Sequence, residues 1–309
     1  IKDAELNYHP GWPALTQLDG RLLVGDMDIA ASVTDAGIYT SRVKQAEVRV
    51  NPRTKGKGSL LQVNGQIAGA ASDGIRVLRE GMLRQYLGSS MDSWSMQGEM
   101  QAQLDLDIPI GTGEEKPAGA HQQVSVDLQV PQFELQNLNL VANELSGHIN
   151  YSSDTGISSD TLHARFFDQP VEVTLGTRKL EDDSSQTLID ISGEVDVQQL
   201  AYWSKRPELM FLKGNLPYKT LVELNHRPRT GKNLVELSPE EVIDPQLSAA
   251  DFAQEAFAAI TITSNLANVA VDLPAPYGKP ATDQRPLEVK VLLHESQAQI
   301  DVHYNDDIQ

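Results

Sequence analysis

From Trp94 to Ile110 the chain alternates apolar and polar residues almost without a break. Trp94, Met96, Gly98, Met100, Ala102, Leu104, Leu106, Ile108 and Ile110 share one parity. Ser95, Gln97, Glu99, Gln101, Gln103, Asp105, Asp107 and Pro109 share the other. A period of two over such a stretch describes a β-strand with one apolar and one wetted face. Drawn out straight it would run roughly 55 Å at 3.3 Å per residue, where an ordinary strand has about five or six residues. A compact globule has little use for that element. A long sheet with a continuous apolar surface does, and such a surface suits an extended apolar ligand.

Similar alternation recurs along most of the sequence. It is visible at Ala4/Leu6, Leu18/Gly20/Leu22, Ala46/Val48/Val50 and Leu61/Val63/Gly65/Ile67. After the long strand it returns at Val124, Val126, Leu128 and Val130, passes Pro131 to Phe133 and Leu135, and resumes at Leu145/Gly147/Ile149. Val171, Val173 and Leu175 form another run, as do Leu188 to Val195, Ile260/Ile262, Val269 to Leu273, Val289 to Leu293 and Ala298 to Tyr304. Short polar turns separate these runs, so mostly antiparallel pairing is expected. Two stretches break the period, 75–87 and 197–212, and each reads as a short helical region, the second interrupted by Pro207. A loose echo between Leu15-x-x-Leu18-x-Gly20 and Leu145-x-Gly147-x-Ile149 suggests repeat units of about 1–120 and 121–309 within one elongated body.

Composition narrows the function classes. The 309 residues carry a formal charge of −18, which opposes binding to nucleic acid and to anionic lipid headgroups. There is no cysteine, hence neither a disulfide nor a thiolate metal site. No signal-like segment and no run long and apolar enough to cross a bilayer is present, so the sequence reads as a soluble portion of something larger. The seven histidines (9, 121, 148, 163, 226, 294 and 303) are scattered without metal-ligand spacing. The Gly111–Gly119 stretch lacks the third glycine of a dinucleotide loop and carries Glu114 and Glu115 where a phosphate would sit. The basic run Arg53–Ser59 has no P-loop spacing and reads as a hairpin tip, with lipid-headgroup contact as the sharper alternative. Asp182-Asp183 and Asp306-Asp307 lack the alternating ligands of a calcium loop. No Gly-x-Ser-x-Gly elbow nominates a nucleophile. No catalytic residue, cofactor or metal is therefore assigned. Trp12, Trp94 and Trp203 are candidates for sheet-end plugs or groove-mouth residues.

Two segments carry a family resemblance. One is Ala4-Glu-Leu-Asn-Tyr-His-Pro-Gly-Trp-Pro-Ala-Leu15 followed by Leu18-Asp-Gly20. The other is Asn265-Leu-Ala-Asn-Val-Ala-Val-Asp-Leu-Pro-Ala-Pro-Tyr-Gly-Lys-Pro280 followed by Arg285-Pro-Leu-Glu-Val289. Both are similar to turns of the YhdP family of AsmA-like, TamB-related envelope proteins. The resemblance spans the chain and places it in the middle portion of a longer family member. It implies a periplasmic β-structure of Gram-negative bacteria, anchored in the inner membrane by an N-terminal helix outside this chain. It also implies non-enzymatic movement of phospholipids towards the outer membrane along a hydrophobic groove.

The combined expectation is an all-β fold: an elongated, bent antiparallel sheet forming a hydrophobic groove, with two short helices. Candidate lining residues are Met96, Met100, Ala102, Leu104, Leu106, Ile108, Val124, Val126, Leu128, Val130, Val171, Val173, Leu175, Val289 and Val291. Expected partners are phospholipid acyl chains, neighbouring portions of the same full-length protein and the membranes at its ends. The competing expectation is a closed β-sandwich serving as a structural or assembly module of the envelope.

Overall fold

The computed structural model describes residues 1–7, 13–25, 28–52, 58–80, 92–110, 121–136, 139–180, 184–226, 256, 258–294 and 298–304. The expectations for His9, Trp12 and its turn, the basic run at 53–57, the 111–119 loop, Asp182-Asp183 and Asp306-Asp307 lie outside these residues. The chain divides into two compact units, Ile1–Leu175 and Gly176–Gln309.

The first unit is an antiparallel meander. Its strands are β1 (Ala4–Leu6), β2 (Leu15–Val24), β3 (Ile29–Ile38), β4 (Ser41–Pro52), β5 (Ser59–Ala70) and β6 (Trp94–Ile110). They continue as β7 (His121–Leu135), β8 (Leu140–Ser152), β9 (Gly156–Ser159), β10 (Leu162–Phe166) and β11 (Gln169–Lys179), the last running through the unit boundary. Each of β1 to β8 pairs antiparallel with its successor, and β8 also pairs with β10, which pairs with β11. The helix α1 (Ala71–Glu80) leaves the end of β5.

The second unit contains β12 (Ser185–Asp196), helix α2 (Val197–Ser204), a 3-10 turn (Pro207–Phe211), β13 (Leu212–His226), β14 (Ala258–Ser264), β15 (Val269–Val271), β16 (Leu287–Leu293) and β17 (Ala298–Tyr304). Here β12, β13, β14, β16 and β17 pair in that order, and β15 pairs with the first residues of β13. All these pairings, within each unit, are antiparallel. Among the described residues the all-β antiparallel architecture with two helices is thus as expected.

Alternation slips in sequence at Pro131, and the structure explains why. Gln97 stands opposite Gln132 but Glu99 stands opposite Gln129, so β7 advances three residues while β6 advances two. That is a β-bulge, which bends its strand and tolerates a proline without a ladder N–H. Because of the bulge, Val130 and Phe133 face the same way despite opposite parity: both belong to one core cluster with Met96, Leu128 and Ala71. A second bulge lies between Val43 and Gln45 against β5. It brings Val43 and Ala46 into one cluster with Leu18, Val33 and Ala36.

Both helical regions differ in extent from the sequence reading. α1 begins at Ala71, four residues before the expected start, with Asp73 in its first turn, where a carboxylate suits the helix dipole. The second region splits. Asp196 caps α2 by accepting from the backbone N–H groups of Gln198 (2.7 Å) and Gln199 (3.4 Å). Lys205 then turns left-handed at φ 54°, and Arg206 is extended because it precedes Pro207.

The family-like segment at 273–280 is a turn fastened from within. Lys279 is buried, and its ammonium donates to the carbonyl oxygens of Val269, Pro280 (3.2 Å) and Asp283 (2.8 Å). The Arg285 guanidinium donates to the carbonyls of Pro276 (2.9 Å) and Gly278 (3.0 Å) and to the Tyr304 hydroxyl (3.2 Å). Two cations thus bind backbone carbonyls in and around the turn, among them those of Pro276, Gly278 and Pro280.

Gly98 sits at the β6–β7 bulge with φ +108°, and a Cβ there would collide with the Gln129 carbonyl and the Pro131 ring. Gly98→Ala should therefore lower stability by about 1–3 kcal/mol, read as a reduced urea midpoint with an unchanged m-value.

Candidate functional site

The register assembles the apolar parity into rows that cross the first unit from strand to strand. Directly opposed residues in an antiparallel pair share a face. One row passes through Gly20, Val33, Ala46, Gly65, Leu104, Val124, Tyr151 and Ile157. At ~4.8 Å between strands it is roughly 34 Å long. A second runs through Leu22, Ala31, Val48, Val63 and Leu106, and a third through Val24, Ile29, Val50, Leu61 and Ile108. On the other side lie Ala36, Val43, Ile67, Ala102, Val126 and Ile149, then Gly69, Met100, Leu128 and Gly147. No charged side chain interrupts these rows.

The opposite face is polar and cross-linked by hydrogen bonds. Gln62 donates to Asp107 at 2.9 Å, and Ser125 to Asn150 at 2.7 Å. His148 is hydrogen-bonded to Asp127 at 2.7 Å and to Asn150 at 3.1 Å. The Asp127 hydrogen bond holds the His148 imidazole above its ordinary pKa.

Thirteen of the fifteen candidate residues lie in the first unit, and Val289 and Val291 lie in the second. Within the first unit, Met96, Met100, Ala102, Leu104, Leu106, Ile108, Val124, Val126, Leu128 and Val130 stand on neighbouring strands of the apolar face. Val171 and Val173 lie opposite Ala164 and Leu162, and Leu162 packs at Gly147, the end of the Met100–Leu128 row. The Leu175 N–H donates to the Ser159 hydroxyl at 2.8 Å. Leu128, Val130 and Val171 are buried, at 8%, 1% and 2% exposure. Ala102, Leu104, Leu106, Ile108, Val124, Val126, Val173 and Leu175 are only half-buried. In the second unit, Val291 lies between Ile260 and Ile300, and Val289 between Ile262 and Val302. Ile300 and Val302 on β17 are exposed. Trp94, at the start of β6, packs edge-on against Phe133 with ring centroids 5.4 Å apart.

One end of the apolar face is covered by α1. Ala71 and Ile75 are buried, and Ala71 joins Leu128 and Val130 in a cluster flanked by Met96, Met100 and Phe133. The helix is tied to the β3–β4 turn by a buried carboxylate. Asp73 accepts from the Thr40 backbone N–H (3.0 Å), the Thr40 hydroxyl (2.8 Å) and the Ser41 hydroxyl (2.7 Å). Burial alone would raise the Asp73 pKa; the Ser41 and Thr40 hydrogen bonds outweigh it and hold the carboxyl below the usual aspartate range. A surface cluster adds to this tie: the Tyr39 hydroxyl donates to Glu80 (2.9 Å), and the Arg76 guanidinium lies 3.9 Å over the Tyr39 ring.

Sequence reasoning did not find the Asp73 tie or the two cations of the 273–280 turn. Asp73 near a helix start is a visible signal, but Thr40 and Ser41 are more than thirty residues away and only the register brings them close. Among the described residues no group of three His, Asp or Glu side chains is placed to hold a metal. No described helix is long and apolar enough to cross a membrane.

The YhdP protein family profile matches residues 1–309. The chain is 24% identical over 294 residues to the intermembrane phospholipid transporter YhdP of Escherichia coli (strain K12), which covers 94% of this chain and 20% of that protein. The chain thus spans about a fifth of the length of that curated relative. No solved structure matches significantly.

Because the folded Asp73 pKa is depressed, its contribution is full above the ordinary aspartate value of about 3.9. It is lost as the pH falls through the lower folded value. Hydrogen exchange of the α1 amides should therefore speed up on acidification within that window, relative to β6 amides. Asp73→Asn should remove this acid-dependent part and leave the α1 amides faster at neutral pH.

Proposed function

This chain belongs to the YhdP family, and from that premise we propose that its apolar face carries phospholipid acyl chains across the periplasm towards the outer membrane. The process is non-enzymatic: the sheet replaces water around the tails and leaves the headgroups in solvent. The full-length protein is anchored in the inner membrane by a segment outside this chain. Neighbouring portions of the same polypeptide receive and pass on the lipid, and membranes meet its two ends.

The observation carrying this reading is the set of half-buried aliphatic rows centred on Leu104, Val124 and Val126. A closed sandwich would bury such side chains as fully as Val130. Here they keep access to solvent while lying side by side on five or more strands, and that surface favours an apolar occupant. Each methylene of a tail laid on it gains about 0.8 kcal/mol. The curated relative is named as an intermembrane phospholipid transporter, and its cargo has tails of this chemistry.

Replacing Leu104 and Leu106 together by Asp in the full-length protein puts two carboxylates on the track, where tails cannot solvate them. The variant should co-purify with several-fold less phospholipid, counted by extraction and mass spectrometry, while its far-UV spectrum stays that of a β-sheet. Lipid content equal to the parent protein would overturn the reading.

A further inference from the structure

Helix α1 covers one end of the apolar face and is held there largely by polar ties. It has ten residues, a length at which an isolated helix is marginal in water. Gly74 stands in its interior against the Met100 sulfur, where a Cβ would be too close, and glycine costs a helix about 1 kcal/mol relative to alanine. Its fully buried apolar side chains are Ala71 and Ile75. Against this modest apolar seat stands a polar fastening. Asp73 is held by Thr40 and Ser41, and Glu80 and Arg76 by Tyr39, so these ties converge on the short turn between β3 and β4. On the other side, the Arg79 guanidinium donates to the Trp94 carbonyl at the start of β6. An element with little apolar burial, held mainly by a few polar ties, opens locally before the strands do.

We propose that α1 is a lid over one margin of the acyl-chain track, latched by Asp73 to the Thr40–Ser41 turn. When the latch is released, the helix unwinds from its junction with β5 and lifts off the sheet, uncovering Met96, Met100 and Leu128. Closed, the lid narrows the track to the rows from Ala102 outward. Open, it adds the Met100–Leu128 row and widens the surface available to a lipid with bulkier tails. This inference rests on the lipid-track reading above.

The test uses the full-length protein in cells whose phospholipids carry radiolabelled phosphate, with a photo-crosslinking benzophenone side chain placed at Met100 or at Leu104. Lipid adducts at Leu104 report the track itself, and adducts at Met100 report the uncovered margin. In the parent protein both positions are half-buried, but Met100 lies against Gly74 of the helix and should label less than Leu104. Asp73→Ala should raise labelling at Met100 by about fivefold or more and leave Leu104 unchanged. Equal labelling at Met100 with and without the latch would overturn the lid, whereas no lipid adduct at Leu104 in any background would overturn the track. Hydrogen exchange of the unaltered protein supplies a second reading independent of how the variant folds. The α1 amides should exchange well before those of β6 and β7, and α1 amides as protected as those strands would sink the proposal.

Discussion

Strand register is the constraint on which the rest of this structure depends. In an antiparallel sheet a slip of one residue would carry every side chain to the opposite face. The rows through Leu104 and Val126 exist only because consecutive pairings from β3 to β8 keep apolar residues opposite apolar residues. Two irregularities preserve the arrangement rather than break it. The bulge at Val130–Pro131 and the one at Val43–Gln45 each absorb a change of parity in the sequence. Without the first, Phe133 and Leu135 would turn to the polar side, and Trp94 would lose its edge-on partner.

A sheet whose apolar side chains are largely half-buried has to find stability elsewhere. Part of it comes from the polar face, where Gln62–Asp107, Ser125–Asn150 and Asp127–His148 join neighbouring strands by side-chain hydrogen bonds. Such cross-strand pairs are individually modest, but they recur between β5 and β8. Another part comes from the ends. The residues of the Leu18–Val33–Val43 cluster and of the Ala71–Leu128–Val130 cluster are buried, none more than 9% exposed. The middle of the face, around Leu104 and Leu106, is half-buried, between buried clusters at its margins.

Much of this architecture is legible in the order of the residues. Period two identifies the strands, because one wet face and one dry face leave that signature whatever the partner strand is. The apolar parity of β6 reappears intact as a face, and its neighbours at Val124 to Val130 fall on the same rows. Two kinds of information are not local and stay hidden. Pro131 shows that the alternation slips, but only the partner strand reveals that a bulge restores the face. Asp73, Thr40 and Ser41 form one hydrogen-bonded unit from distant positions, and nothing in their immediate neighbours encodes that meeting. Lys279 belongs to the same class. A lysine in a turn ordinarily projects into water, and its burial follows from three carbonyls that the fold gathers around it.

The chemistry of the rows bears on how a tail would move over them. From Ala46 through Gly65, Leu104 and Val124, each step to the next strand exchanges one small or aliphatic side chain for another. A methylene shifting by one strand leaves contacts that it regains at once, so its free energy varies little along the row. An enclosed pocket would behave differently: every buried methylene would add to the depth of a single well, and release would slow with tail length. Gln122 opposite Leu106, and Ser159 opposite Ile149, end their rows in polar side chains. A tail following those rows would meet groups that it cannot solvate and would be turned back to the neighbouring aliphatic rows. Flatness along the rows and polarity at their limits are together what a surface needs if it is to guide a lipid without storing it.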